Sequence, residues 1–597
     1  MSRTRPAARW ANAPIVREDD LAALVGGLRP GWEEKGKPTP PEALFRLLIL
    51  RGVRDADAAK RFVQPQLAHL TPPEALTDLV RAAERLARAV KSGEAILVHG
   101  DYDVDGICST ALLTRVLRAL GGTVEPFIPD RKTDGYDLGP AGVKRAIAVG
   151  ARVVLTCDCG TTAVEPARAL KAAGIDLIIT DHHKLGAVVP EAYAMVNPQR
   201  EPDIAERADR HLAAVGVVYK LSQVLTAQMG GDAALVDEQL ELVALATVAD
   251  VAPLVGDNRI LVAEGLKRMS TPPLPGQPDR RNRGLRALIR SASVDDKRLT
   301  AGRLGYTVAP RLNALGRVRQ AITGVELLLA EDDGKAMDLA AECNRANAER
   351  QELDRAILEE AKLRVETMDI DAARGIVLHG EGWEPGVIGI VASRIVELTH
   401  RPTFMIAVNG VGEARVGKGS GRSISGFDLH AALTACGDLL IKFGGHRAAA
   451  GLTIAPENIP AFAERFDAAA RAQLTDDQLT PELRPDLELP IDLANDALLG
   501  AIRHLEPFGI GNAGPVLISR GVRLKGGARK VSTDGLKLEF ATPTGPREAV
   551  GWGMYGRAGE VARDGALDVV YRLEVNEYRG ARTLQANLLD IRPVTNG

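Results

Sequence analysis

At 597 residues the chain is too long for one ordinary domain, and at roughly 150 residues per domain it suggests about four. An apolar fraction of 45% and a charged fraction of 26% exclude a wholly disordered chain, while 75 basic against 78 acidic residues (net −3) exclude a uniformly basic surface. A nucleic-acid partner would therefore need positive charge concentrated locally or supplied by metal ions. Five scattered cysteines (Cys108, Cys157, Cys159, Cys343, Cys436) do not make a disulfide framework and point to a reducing compartment. No apolar run nears the roughly 20 residues of a membrane span, and no apolar stretch follows Arg3, Arg5 and Arg9 to make a signal peptide. A soluble, cytoplasmic protein without a membrane contact is expected.

Residues 1–75 mix Pro and Gly with the apolar stretch Leu44 to Leu50 and carry little chemistry. From about Leu79, short apolar runs alternate with amphipathic segments: 95–99, 123–128, 152–156 and 175–180 read as strands with helices between them. That spacing implies right-handed crossovers and a mostly parallel, doubly wound sheet. Residues 334–368 lack proline and are rich in Ala, Leu, Glu, Lys and Arg, with Leu353, Ile357 and Ala361 at helical spacing. A helix there would run about 50 Å at ~1.5 Å per residue. It reads as a connector between two α/β-like regions, the alternative being a coiled-coil dimer arm. Residues 370–470 are glycine-rich and begin with a strand near Gly375–Leu378. Beyond about Leu487 the pattern has period two (Val569, Tyr571, Leu573, Val575; Leu584, Ala586, Leu588) and predicts a small β-barrel or sandwich.

The acids sit where such a sheet collects ligands. The first strand is followed by Gly100-Asp101-Tyr102-Asp103-Val104-Asp105-Gly106 and a helix starting near Cys108. The third is followed by Cys157-Asp158-Cys159-Gly160, the fourth by Asp181-His182-His183, and Asp250 closes the apolar run 242–249. In an open parallel sheet the carboxyl ends of the strands share one edge. Five or more carboxylates crowded there repel one another unless cations neutralise them. Mixed imidazole and carboxylate ligands favour Mn²⁺ or Mg²⁺, with Zn²⁺ left open. His99, Asp103 and Asp105 can supply one group of ligands, with Asp158 and His182 converging from the other loops. Taken singly, Asp101 or Asp158 would be a helix N-cap, Asp105 a turn residue, His182 and His183 surface residues, and the cysteines small buried hydrophobes.

With these motifs in this order, the sequence resembles the DHH phosphoesterase family, and within it the single-strand-specific 5′ exonucleases. The likeness extends through Pro310-Arg311-Leu312-Asn313-Ala314-Leu315-Gly316-Arg317, Gly444-Gly445-His446 and Leu505-Glu506-Pro507-Phe508-Gly509-Ile510-Gly511-Asn512. It implies an α/β chain: an N-terminal segment 1–75 packing on the core, and a parallel-sheet DHH catalytic domain at 76–330. A long connector helix (331–368) would lead to a smaller α/β accessory DHHA1 domain (369–475), followed by an OB-like β-barrel (476–597). It further implies two divalent cations, Mn²⁺ or Mg²⁺, on His99, Asp103, Asp105, Asp158, His182 and Asp250, with Asp158 as the bridge. Asp101 and Asp181 would orient ligands and His183 would contact the scissile phosphate. Trp383-Glu384-Pro385-Gly386 departs from the family's Trp-His-Pro-Gly, and Gly511-Asn512-Ala513 from its Gly-Asn-Pro.

Several cationic stretches are candidates for phosphate. Gly417-Lys418-Gly419-Ser420-Gly421-Arg422-Ser423 has the composition of an anion cradle, with Lys442, Gly444, Gly445, His446 and Arg447 nearby. It lacks the Walker spacing. Arg311 and Arg317 are further candidates; the alternative for each is an ion pair within the fold. In the last domain Phe508, Trp552, Tyr555, Tyr571 and Tyr578 are available for stacking on bases, and Arg579 and Arg582 for the backbone. The resemblance implies two-metal hydrolysis of single-stranded DNA from the 5′ end to mononucleotides, in repair and recombination, with strand selection by a narrow channel. A helicase and a single-strand-binding protein are the expected partners, and the chain is expected to be a monomer. The competing readings are a dinucleotide phosphodiesterase of the same superfamily and a non-catalytic nucleic-acid-binding factor.

Overall fold

The computed structural model describes residues 8–33, 40–131, 133–201, 203–276, 278–294, 299–411, 415–543, 545–578 and 581–594. The chain divides into two units, Asp55–Glu349 with His504–Gly514, and Met1–Arg54 with Arg350–Arg503 and Pro515–Gly597.

The first unit is built on a five-stranded sheet, all parallel. Its strands are β1 (Ala95–Gly100), β2 (Thr123–Phe127), β3 (Val153–Cys157), β4 (Asp176–Thr180) and β5 (Ala194–Val196), in spatial order β2-β1-β3-β4-β5. The central strands are apolar on both faces because both faces are covered. Leu97, Val154, Leu177 and Ile179 pack with Ala146, Ala167 and Leu170, while Ile96, Val98, Leu155 and Ile178 pack with helix residues such as Leu86, Leu112 and Leu221. Register fixes the edge that matters. Gly100, Cys157 and Thr180 lie side by side. One residue further on, Asp101 N donates to Cys157 O (3.3 Å), Asp158 N to Thr180 O (3.0 Å) and Asp181 N to Val196 O (3.2 Å). Three aspartates thus form a row across three adjacent strands. The helix after β1 is α1 (Val104–Ala119), which starts four residues before the expected Cys108. The run ending at Asp250 is a helix, α2 (Leu240–Ala249), enclosed and apolar apart from Glu241 and Thr247.

The long helix α3 spans Asp333–Glu366, and the division between the units falls within it. Ala340, Cys343 and Ala346 join the core of the first unit, while Ile357, Leu358, Ala361 and Val365 join a core of the second, so its apolar stripe is consumed in the fold. In the second unit a mixed sheet is formed by β6 (Ile376–Glu381), β7 (Thr403–Asn409), β8 (Val416–Arg422), β9 (Leu440–Gly445) and β10 (Ala449–Ile454), in order β9-β10-β8-β7-β6. The terminal domain is a seven-stranded sheet whose longest hairpin pairs Ala566–Tyr578 with Ala581–Pro593. Leu567, Val569, Tyr571 and Leu573 face its core, with a register shift at Val570/Tyr571.

Two segments differ from their expected places. The N-terminal residues up to Arg54 group with the second unit, where Trp10 Nε1 donates to Asp590 Oδ2 (2.7 Å) and Arg9 pairs with Glu482 (3.0 Å). His504–Gly514 groups with the first unit, that of the parallel sheet, rather than with the final sheet.

Candidate metal centre

The first loop is organised by Asp103, not by Asp101 or Asp158. Asp103 is the N-cap of α1, its Oδ1 accepting from Asp105 N (2.9 Å) and Gly106 N (3.1 Å). Asp105, in the first turn, is anchored from elsewhere. Its two oxygens accept from Ala214 N (2.8 Å) and Val215 N (2.9 Å) at the start of helix Ala214–Gln228. Asn313, within the Pro310–Arg317 stretch, accepts from Val104 N (3.2 Å) and braces the same loop. Asp158 has φ +63°, a left-handed conformation that an Asp tolerates, and caps no helix. Its loop is held by Asp137, which accepts from Gly160 N (2.6 Å) and Thr162 Oγ1 (2.9 Å).

The DHH turn is held through Asp181. Its carboxylate accepts from Thr161 N (3.1 Å), His182 N (2.7 Å), His183 N (3.2 Å) and His183 Nδ1 (2.7 Å). Asn197 adds a bond to His183 O (2.9 Å). These bonds leave the histidine rings aimed at the acids. His182 Nε2 lies 3.2 Å from Asp158 Oδ1, and His182 Nδ1 lies 3.8 Å from Asp250 Oδ2.

Three sets of donor atoms lie within 4.8 Å of one another: Asp158/His182/His183, Asp105/His182/Asp250 and Asp101/Asp103/Asp158. Asp158 belongs to two of them. His99 stands outside these sets, its Nδ1 3.6 Å from Cys159 Sγ and its ring pressed against helix Pro140–Ala148, where a Cβ on Gly142 would come within 2.7 Å of Nε2. Asp181 also stands outside these sets. Asp101 groups with Asp103 and Asp158 as a candidate ligand.

The donor set fits divalent cations. His99 Nε2, Asp101 Oδ1, Asp158 Oδ1 and His182 Nε2 are buried and have no hydrogen-bond partner among the described residues. Buried acceptors left unpaired cost free energy, and cations would satisfy them. The electrostatics agree. Burial, then the Asp103 charge, pushes Asp105 up to about 7; burial, then Asp105 and Asp103, pushes Asp250 up to about 9. Burial and Asp103 also raise Asp101 and Asp158 well above the carboxylate range. His182 falls to about 4 through burial and the neighbouring His183, and His99 to about 4 through burial. Burial would lower His183, but its hydrogen bond to Asp181 together with the charges of Asp181, Asp250 and Asp101 outweighs burial and raises it to about 9. For Asp181 burial is likewise outweighed, and the His183 bond holds its carboxyl below the usual range. Carboxylates raised by one another's charge as well as by burial mark a site short of positive charge, while burial keeps the His99 and His182 imidazoles neutral and able to ligate.

The phosphate candidates divide. Arg311 is engaged within the fold, with Nε donating to Asn344 Oδ1 (2.6 Å) and Nη1 to Thr307 O. Arg317 sits half-buried at the end of helix Ala309–Val318. The glycine-rich stretch 416–422 is strand β8 rather than a loop, and its backbone pairs with β7 and β10, so its N–H groups do not form a cradle. The alternation serves packing. Cβ atoms on Gly417, Gly419 and Gly421 would strike Ile454, Leu452 and Phe404 at 2.9, 2.7 and 2.4 Å, which leaves Lys418, Ser420 and Arg422 to the opposite face. There Arg422 Nη1 donates to Ser420 Oγ (3.2 Å), whereas the Ser423 hydroxyl is used by Ile424 O and Phe427 O. Gly444 and Gly445 end β9, paired with Gly451 and Ala450 of β10, and His446 opens the exposed turn between the two strands, with Lys442 and Arg447 exposed beside it. In the terminal domain Tyr571 is fully buried, whereas Trp552 (59% exposed) and Tyr555 face solvent with Lys530 over the Tyr555 ring (5.2 Å). Phe508 lies in the first unit; Arg582 is exposed, while Arg579 and the Tyr578 side chain lie outside the described residues.

Asp137, Asn197 and Asn313 are the site residues that sequence reasoning missed. Asn197 precedes Pro198 as a cap and Asn313 lay within a stretch already singled out, so both carried a local signal. Asp137, in a Gly/Asp-rich turn, carried none that points at a distant loop.

The fold is that of the DHH family: family models match the DHH family N-terminal domain over residues 95–247, the DHHA1 domain over 372–472 and the RecJ OB domain over 485–590. The chain is 34% identical over 575 residues to the single-stranded-DNA-specific exonuclease RecJ of Salmonella typhimurium, covering 93% of this chain and 96% of that protein. It is similar to the crystal structure of RecJ in complex with Mn²⁺ from Thermus thermophilus (31% identity, TM-score 0.81, 98% of this chain and 80% of that one). The Mg²⁺ complex from the same organism gives 30% identity and a TM-score of 0.75 over 98% and 79%. The chain belongs to the RecJ family. Among the described residues no helix is long and apolar enough to cross a membrane.

Proposed function

We propose that this protein is a metal-dependent exonuclease that degrades single-stranded DNA from the 5′ end to mononucleotides, in DNA repair and recombination. The observation that carries the reading is the convergence of buried ligand atoms without hydrogen bonds from the ends of three strands (His99 and Asp101, Asp158, His182), joined by Asp250 in the donor sets, which a non-catalytic binding factor does not need. Asp105, His182 and Asp250 would hold one cation, and Asp101, Asp103 and Asp158 the other; Asp158 also groups with His182 and His183, and His99 Nε2, buried without a hydrogen bond, is the remaining candidate ligand. When bound, such cations acidify water and stabilise charge on phosphoryl oxygens.

His183 does the work the cations do not. Its Nδ1 is tied to Asp181, and its half-exposed ring, protonated near neutral pH, presents Nε2 as a donor to a phosphate oxygen or a leaving oxygen. Lys418, Arg422 and Lys442 supply local positive charge for the strand in a chain of net charge −3, with His446 beside Lys442. Trp552 and Tyr555 offer faces for bases. The presence of this terminal domain favours long strands over dinucleotides, and the 5′ polarity is carried over from the family resemblance.

The test is digestion of an end-labelled, 5′-phosphorylated single strand with Mn²⁺ or Mg²⁺, beside the matching duplex and a dinucleotide. Mononucleotides released from the single strand alone support the reading. Preference for the dinucleotide, or no release with either metal, overturns it.

A further inference from the structure

The stretch 505–512 sits far along the chain from the catalytic residues, with 350–503 intervening, yet it packs in the catalytic unit. Two side chains shape it into a tight hairpin. Arg259, buried on helix Gly256–Ser270, donates to Leu505 O (3.0 Å) and Glu506 O (2.8 Å). Asn512 Nδ2 donates to Leu505 O and Pro507 O, each at 2.8 Å. Gly509 and Asn512 close the turn through their backbones (3.0 and 3.2 Å).

The tip of this hairpin grips one place. Leu254 N donates to Ile510 O at 2.7 Å. A Cβ on Gly509 would come within 2.7 Å of Leu254 Cδ1, and one on Gly511, at φ +75°, within 3.1 Å of Val255 Cγ1. Asn258 holds the same stretch by donating to Pro253 O (3.1 Å) and to His211 O. The gripped residues follow directly on Asp250. Between them stands Val251 at φ +60°, a left-handed conformation that a β-branched residue rarely adopts. Its side chain is 61% exposed, so its own burial does not hold it there. Such strain persists only where the surroundings impose it.

We infer that the hairpin 505–512 is a positioning element for Asp250. It imposes the left-handed turn at Val251 that ends α2 with the Asp250 carboxylate facing His182. The inference rests on the reading that Asp105, His182 and Asp250 hold a divalent cation, and it makes part of the C-terminal region a component of the catalytic centre.

The experiment is titration of Mn²⁺ into the metal-free, full-length protein, with free Mn²⁺ followed by electron paramagnetic resonance and the fold checked by circular dichroism. Asn512→Ala is expected to weaken one class of Mn²⁺ site roughly 10-fold or more and leave the other class intact. Gly511→Ala, which crowds Val255 without removing the Asn512 donors, should do the same and serves if Asn512→Ala does not fold. Val251→Gly alone should bind at least as tightly as the wild type, because glycine takes the left-handed turn unaided. In the Val251→Gly background, Asn512→Ala should then cost no more than about 2-fold, a rescue that a merely structural role would not produce. Unchanged Mn²⁺ affinity in a folded Asn512→Ala or Gly511→Ala protein, or an equal loss in both backgrounds, overturns the inference. Absence of Mn²⁺ binding by the wild type would instead overturn the metal reading, and this inference with it.

Discussion

In the proposed mechanism the chemistry turns on Asp158, whose Oδ1 is buried without a hydrogen bond and which belongs to two donor sets. Asp158→Ala should lower hydrolysis by well over the roughly 100-fold that marks loss of a supporting partner, while affinity for a single strand stays near wild type. Turnover and binding measured on one 5′-phosphorylated oligonucleotide check this. Asp181 is hydrogen-bonded to His183 and in the proposed mechanism acts through it, so Asp181→Asn should cost roughly 10–100-fold in turnover with little change in strand affinity. Glu241 offers a pH test away from the metal centre. It is buried at the start of α2, accepts from Asn282 N (2.7 Å), and is raised by burial from 4.5 to about 7. Between those values the folded chain keeps a proton that the unfolded chain releases, so stability falls as pH rises through the window. Glu241→Gln should therefore match the wild type near pH 4.5 and exceed it by up to about 3 kcal/mol at pH 8, read from the melting of the catalytic unit against pH.

At the scale of elements, β8 shows how one composition can serve another purpose. Its glycines resemble a phosphate loop in sequence, but here they admit the side chains of Phe404, Ile406, Leu452 and Ile454 against the middle of a sheet. Gly421→Ala should destabilise the accessory domain by about 1–3 kcal/mol, whereas Gly444→Ala, with nothing within 4 Å of its Cβ, should leave melting unchanged. Differential scanning calorimetry of the two variants separates these roles. Strands β1, β3 and β4 were legible because buried parallel strands are uninterrupted apolar runs. Helix α2 was read only as an apolar run, because a segment enclosed on every side has no period to betray its type.

At the scale of the whole molecule, the two units are not consecutive stretches of chain. Ending the chain after Gly514 removes the terminal sheet but keeps the hairpin at 505–512. That truncation should weaken capture of long strands and flatten its salt dependence, with hydrolysis of short oligonucleotides retained. Ending it at 485 removes the hairpin as well and should also cut hydrolysis of short strands. Comparing the salt slopes and short-strand rates of the two truncations measures both effects.

Local signals were enough for the order of the acidic motifs, the parallel sheet that gathers them, the long helix and the period-two final domain, because each is written in consecutive residues. The row of Asp101, Asp158 and Asp181 follows from strand register, which the apolar runs imply. Only the tertiary structure decided that Asp103 rather than Asp101 caps α1, and that Asp137 and Asn313 brace loops remote in sequence. It alone showed that Arg311 is spent within the fold and that 505–512 returns to the catalytic unit. Each of those depends on hydrogen bonds or close approaches between residues distant along the chain, and such pairings leave no period, cap or composition for a sequence to display.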